Sequence, residues 1–239
     1  MNLVGHPRAP VLWLLLLSIL PAVPLSAESI DVRMIIAGKD TGGMIVERDG
    51  DHIEIDFDYK QNGRGPTIVE EIDLDADGLP VRWQISGRTT FGNAVDERYR
   101  YAGGTAEWQD ATGTGSASLA SNSFYVDQNG SFYSLALLAR ALLADDDGAM
   151  EVLPGGSVRI EDRGSLTLKG ADGPTRVTTY EIFGLSMAPA NVTLDEDGEF
   201  FATASPRFVA VRAGYEAQAD EILRAQAERL STQRFPGSL

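Results

Sequence analysis

The sharpest arrangement of chemically capable side chains is Asp73-Leu-Asp75-Ala-Asp77-Gly78. Alternate carboxylates followed by a glycine match the opening of a loop that converges on one calcium ion. Position twelve of such a loop falls on Gln84 rather than on a bidentate Glu, so the closing ligand is missing. Leu74, Val81, Trp83 and Ile85 flank the stretch as hairpin arms do, and a plain Asp-Gly hairpin is expected instead. Asp195-Glu-Asp197-Gly198 repeats the turn with no better completion. Gly184-Leu-Ser186-Met-Ala188 approaches a nucleophile elbow but ends in Ala. The histidine available as its base, His52, lies in a strand-like segment and is expected to be satisfied or solvent-facing. Gly113-Thr-Gly115-Ser116 lacks the lysine that cradles phosphate and reads as a flexible connection. With no cysteine, and with His52 the one histidine beyond the first 27 residues, the usual zinc sets cannot be assembled. Carboxylates are plentiful, yet no spacing singles out an acid pair for sugar hydrolysis. No catalytic, cofactor-binding or metal-ligating residue is assigned.

The chain of 239 residues carries a formal charge of -15. So acidic a protein repels phosphate backbones and anionic lipid surfaces, which argues against nucleic-acid and electrostatic membrane partners. Arg8, an apolar run from Val11 to Val23, and Pro24-Leu25-Ser26-Ala27 follow one another as the parts of a secretory signal do. The run holds about a dozen apolar residues, short of the roughly 20 that span a bilayer, so no permanent membrane span is expected. Residues 1–27 are therefore expected to be a signal peptide cleaved after Ala27, which places the protein in the periplasm or outside the cell. Residues 28–230 form one β-rich domain and 231–239 a tail. Without cysteines, stability must come from burial and hydrogen bonding even in an oxidising compartment.

The elements that would carry any site have a period of two. Ile53, Ile55, Phe57 and Tyr59 alternate with Glu54, Asp56, Asp58 and Lys60, and Val81, Trp83 and Ile85 alternate with Arg82, Gln84 and Ser86. One-sided burial at short spacing predicts antiparallel strands in a meander. Asp49-Gly50, Asp77-Gly78, Gly103-Gly104, Asn129-Gly130, Asp172-Gly173 and Asp197-Gly198 supply the expected hairpin turns. Two helices interrupt the pattern. Residues 131–144 carry a single charge, Arg140, with Ser131 as a possible cap, so the helix must be buried nearly all round. The segment from about Tyr215 to Leu230 aligns Tyr215, Ala219, Ile222, Leu223, Gln226 and Leu230 along one stripe. The expected fold is mainly β: a curved antiparallel sheet or half-barrel around a buried helix, with a C-terminal amphipathic helix.

Several pieces in order carry a family resemblance: Asn62-Gly-Arg64-Gly65-Pro66, Leu74-Asp-Ala-Asp77-Gly78-Leu-Pro80, Asp96-Glu97-Arg98-Tyr99 and Gly103-Gly104-Thr-Ala106-Glu-Trp108. Later come Leu153-Pro154-Gly155-Gly156, Tyr180-Glu-Ile-Phe-Gly184-Leu185, Leu194-Asp-Glu-Asp197-Gly198 and Gly214-Tyr215-Glu216. Together, over roughly residues 30–230, they resemble the N-terminal non-catalytic region of secreted bacterial amidohydrolases. In that family a metal-dependent (β/α)₈ barrel with a flanking β-sandwich follows this region, and its histidine-rich motifs have no counterpart here. The resemblance implies an exported accessory domain that docks on an amidohydrolase catalytic domain supplied in trans. A second reading is a periplasmic carrier holding an apolar or lipid-like ligand between helix and sheet, near Leu135, Leu138, Leu142, Trp83 and Trp108, although a filled core uses the same residues. A free-standing hydrolase using carboxylates is a third.

Overall fold

A computed structural model describes residues 28–170 and 173–233. The expected signal peptide and most of the expected tail lie outside the described residues. The first eight strands are β1 (Glu28–Ile36), β2 (Lys39–Asp49), β3 (His52–Tyr59), β4 (Thr67–Leu74), β5 (Pro80–Arg88), β6 (Ala94–Ala102), β7 (Thr105–Asp110) and β8 (Gly113–Ser118). A two-residue strand β9 (Phe124–Tyr125) precedes helix α1 (Tyr133–Ala144). Then follow β10 (Ala149–Leu153), β11 (Ser157–Gly170), β12 (Gly173–Phe183), β13 (Ala190–Asp195), β14 (Phe200–Ser205) and β15 (Phe208–Arg212). A 3₁₀ turn (Glu216–Gln218) leads into α2 (Ala219–Gln233), three residues beyond the expected end.

All strands join one 15-stranded sheet in which β1 pairs with both β2 and β15. Two meanders run outward from that seam, one to β8 and one back to β9, and the sheet stays open and curved. Each adjacent pair is antiparallel except β9 with β10. This is the mainly β half-barrel that the alternation predicts. On β3, Ile53, Ile55 and Phe57 are buried while Glu54, Asp56 and Asp58 face water.

The inner face closes over α1. Tyr133, Ala136, Leu137, Leu138, Ala139, Ala141 and Leu142 are buried there with Trp83, Phe124 and Phe200. The opposite face of the central strands is covered by α2, whose Ala219 and Ile222 pack with Phe201, Val209 and Val211. Strands clothed on both sides need apolar residues at every position, and Phe200-Phe201-Ala202-Thr203-Ala204 is buried throughout.

The Asp-Gly turns form as expected at residues 49–50, 77–78 and 197–198. Asp75 Oδ1 accepts from the N–H groups of Asp77 (3.0 Å) and Leu79 (2.9 Å), and Asp195 Oδ1 does the same for Asp197 (3.0 Å) and Glu199 (2.8 Å). The turn glycines, Gly78 and Gly198, sit at φ of +77° and +78°, where a side chain is strained. Residue 172 of the Asp172-Gly173 pair lies outside the described residues.

Three expectations need correction. Asn129-Gly130 is no hairpin; it lies in the turn that feeds α1. The helix begins at Tyr133 rather than Ser131, after a Phe132 that makes no side-chain cap; Ser131 Oγ accepts from the Tyr133 N–H (3.4 Å) while the Ser131 N–H is held by Glu70 (2.6 Å). Gly113–Ser116 is not a flexible connection but part of edge strand β8, formed by pairing with β7, where Gly115 lies so close under the Trp108 ring that a Cβ would fall 2.3 Å from it.

Candidate functional site

The densest chemistry lies inside the half-barrel, at acids that occupy inward positions of two strands. Ile68, Glu70 and Ile72 point inward on β4, as do Val95, Glu97 and Tyr99 on β6. Glu70 is fully buried; its Oε1 accepts from Ser131 N (2.6 Å) and its Oε2 from Trp83 Nε1 (2.9 Å). Glu97 Oε1 accepts from the Tyr125 hydroxyl (2.8 Å) and Gln128 N (2.9 Å), and Oε2 from Asn129 Nδ2 (3.2 Å). Within the turn, Asp127 Oδ2 accepts from Gly130 N (2.8 Å). Three backbone N–H groups in the segment from Gln128 to Ser131 are thus held by carboxylates, which fixes the entry to α1.

Two of these acids, Glu70 and Asp127, hold a proton more firmly than free carboxyls do. Burial, opposed by the Ser131 and Trp83 hydrogen bonds and reinforced by the Glu97 charge, raises the Glu70 carboxyl. Burial, then the charges of Glu70 and Glu97, push Asp127 up to about 7. Burial and the bond to Glu97 also raise the Tyr125 hydroxyl. Its ring stacks on Tyr99 at 4.9 Å, and Trp83 meets Phe124 edge-on at 6.2 Å.

A second charged knot holds the body of α1. Arg140 bonds Glu199, which also accepts from Arg48 (3.1 Å) and from the Tyr133 hydroxyl (3.0 Å), while Arg140 Nη2 reaches that hydroxyl at 3.2 Å. Sequence reasoning missed Glu70 and Glu97. The signal available was an acid in phase with the apolar positions of its strand.

The residues proposed around an apolar ligand do come together. Trp83, Leu138 and Leu142 are at most 2% exposed and share one cluster, with Leu135 and Trp108 half-buried against it. The carboxylates of the calcium-like stretch diverge instead. Asp75 caps its own turn and accepts from Asn122 Nδ2 (2.9 Å), whereas Asp73 bonds His52 Nδ1 (2.6 Å) and Arg82 (3.3 Å). No group of three or more His, Asp or Glu among the described residues is placed to hold a metal ion. His52 is half exposed between Asp73 and Glu54, and its hydrogen bond to Asp73 raises its pKa. Ser186 donates to the Ala188 carbonyl (2.6 Å) while both ring nitrogens of His52 face Asp73 and Glu54, so Ser186 and His52 do not form a nucleophile–base pair. On the outer face, β5 to β8 form a concave surface of about 630 Å³ lined by Arg82, Arg98, Arg100, Glu107 and Gln109.

These features define an open antiparallel half-barrel that carries a helix in its concave face. No protein-family model matches the chain, and no curated protein matches it. A crystal structure of a β-barrel-like protein of a domain of unknown function, DUF1849, from Brucella abortus aligns with 80% of this chain and 96% of its own, at 12% identity and a TM-score of 0.46. The resemblance to the N-terminal region of amidohydrolases is therefore corrected: no family model and no curated protein supports it. No helix among the described residues is long and apolar enough to cross a membrane.

Proposed function

We propose that the chain is an exported, non-catalytic binding domain that works through its outer surface. The observation that carries this reading is the occupied interior. Leu137, Leu138 and Leu142 fill the concave face, and the acids that could act as catalysts accept hydrogen bonds from their own chain. Export rests on the order of charge, apolar run and small residues in 1–27. The test is native mass spectrometry of protein recovered from the exported fraction, together with titration of a fluorescent fatty acid. The expected results are a mass starting at Glu28 with nothing bound and no saturable fluorescence change. Stoichiometric lipid would replace this reading with the apolar carrier. One observation favours that second reading: the half-buried Phe132 lies 5.6 Å from Phe57 and 5.1 Å from Phe208, giving the half-barrel an aromatic rim.

A further inference from the structure

The outer face of the first meander changes character from strand to strand. Glu47, Glu54 and Glu71 stand in register across β2, β3 and β4. The same row continues as Gln84, Arg98, Gln109 and Thr114 across β5 to β8. One step along, Asp73 is followed by Arg82, Arg100, Glu107 and Ser116. Arg82, Arg98, Arg100 and Glu107 therefore meet in the concave surface of about 630 Å³, with Glu71 and Asp73 paired to Arg82 and Asp96 to Arg98.

These arginines differ in what holds them. Arg82 is braced by Glu71 (3.0 Å) and Asp73 (3.3 Å), and Arg98 is gripped at two points by Asp96 (3.0 and 3.1 Å). Such braces fix the planes of the guanidinium groups while leaving further N–H donors unused. Among the described residues Arg100 has no ion-pair partner, although Glu107 stands opposite it in register. Among the described residues, Glu107, Gln109, Thr114 and Ser116 likewise find no side-chain hydrogen-bond partner.

We propose that this groove binds an acidic oligosaccharide, its uronate carboxylate on Arg100 and Arg98 and its hydroxyls on Glu107, Gln109, Gln84 and Thr114. A carboxylate suits the planar fork of arginine. A compact dianion such as phosphate meets repulsion from Glu107, whereas a hydroxyl can donate to that same oxygen. The volume lies within the range of small-molecule sites. Nucleic acid fits poorly, since the aromatic residues of the lining, Trp83, Tyr99 and Trp108, pack into the core between the two rows and offer no free ring on which a base could stack, and the whole chain is acidic.

The inference deepens the surface-binding reading and rests on it. The test is titration of the exported protein with trigalacturonate, followed by calorimetry and by amide NMR shifts, with maltotriose and inorganic phosphate as comparison ligands at matched ionic strength. One saturable site is expected for trigalacturonate, with shifts centred on Arg98 to Glu107, and much weaker binding of both comparison ligands. Arg100→Gln should weaken binding about tenfold or more, and Arg100→Lys should restore only part of it because the fork is lost. Both variants should melt as the parent does, since Arg100 is exposed. Absence of binding, phosphate binding as strong as the sugar's, or affinity unchanged in Arg100→Gln would each overturn the proposal. Lipid inside the half-barrel would instead overturn the surface-binding reading, and native mass spectrometry reports that separately.

Discussion

Replacing Asp127 by Asn tests whether the interior acids hold a proton near neutrality. In the folded chain Asp127 titrates at about 7, against 3.8 for the free side chain. A folded pKa above the unfolded one means that the folded state binds more protons between those values. The stability tied to this group is therefore complete below pH 4 and is lost as pH rises through 7. The full difference corresponds to a ceiling of about 4 kcal/mol. Because Asp127 keeps some solvent contact, about 2 kcal/mol is the better expectation, or about 4–8 °C in melting temperature for a domain of this size. The parent should thus melt lower at pH 8 than at pH 5, and Glu70, raised by the same burial, contributes with the same sign. Asp127→Asn keeps an oxygen to accept from Gly130 N and removes the titration. It should melt higher than the parent at pH 8 and show a shallower pH dependence measured by circular dichroism. An unchanged slope would show that Asp127 does not carry the pH dependence, and a variant that melts lower than the parent at pH 8 would show that the turn depends on an ionised Asp127; either would refute the reasoning.

Leu138→Ala should destabilise the fold by about 2–5 kcal/mol in urea denaturation, since the side chain is 2% exposed and its removal leaves a cavity. Gly130→Ala should cost about 1–3 kcal/mol, because the new Cβ would lie 2.5 Å from Asp127 Oδ2 and 3.0 Å from Glu70 Oε2; an unaltered melting temperature would show that the turn yields freely. Calcium should leave the melting temperature unchanged, as Asp75 and Asp195 already accept from their own turns, and a saturable upward shift abolished in Asp75→Ala would contradict that.

What the sequence made legible was whatever repeats locally. The alternation of Ile53, Ile55 and Phe57, the Asp-Gly turns at 49–50, 77–78 and 197–198 and the apolarity of 131–144 depend on neighbours a few residues away, and each appears where expected save that the helix starts two residues later, at Tyr133. At Glu97 the phase shared with Val95 and Tyr99 marks the inward position within the run Asp96-Glu97-Arg98, but nothing local shows what would satisfy a buried acid there. Its donors come from Tyr125, Gln128 and Asn129, and those of Glu70 come partly from Ser131, 61 residues away. Asn129-Gly130 misled for the same reason: the pair marks a turn but cannot say that a helix follows. Strand β8 is composed of Gly, Thr, Ser and Ala, so its conformation comes from the β7 template rather than from its own propensity. The amidohydrolase resemblance failed on related grounds. Asn62 to Pro66, Asp77 to Leu79, Gly103-Gly104, Pro154 to Gly156 and Asp197-Gly198 all fall in the reversals between strands, where any long meander favours the same few residue types.

The buried acids also answer a problem that the helix creates. A helix with seven buried apolar positions and a nearly uniform surface can rotate or slide within a curved sheet at little cost, since hydrophobic contacts have no direction. Hydrogen bonds to carboxylates do have direction, and leaving one unmade inside the protein is expensive. Glu70 and Glu97 fix the depth of the turn before Tyr133, and Glu199 fixes the rotation of the helix through Arg140 and Tyr133. Only one register satisfies both ends at once. The inward acids therefore make the interior a place where the chain recognises itself, which directs any search for an external ligand to the arginines on the other side of the sheet.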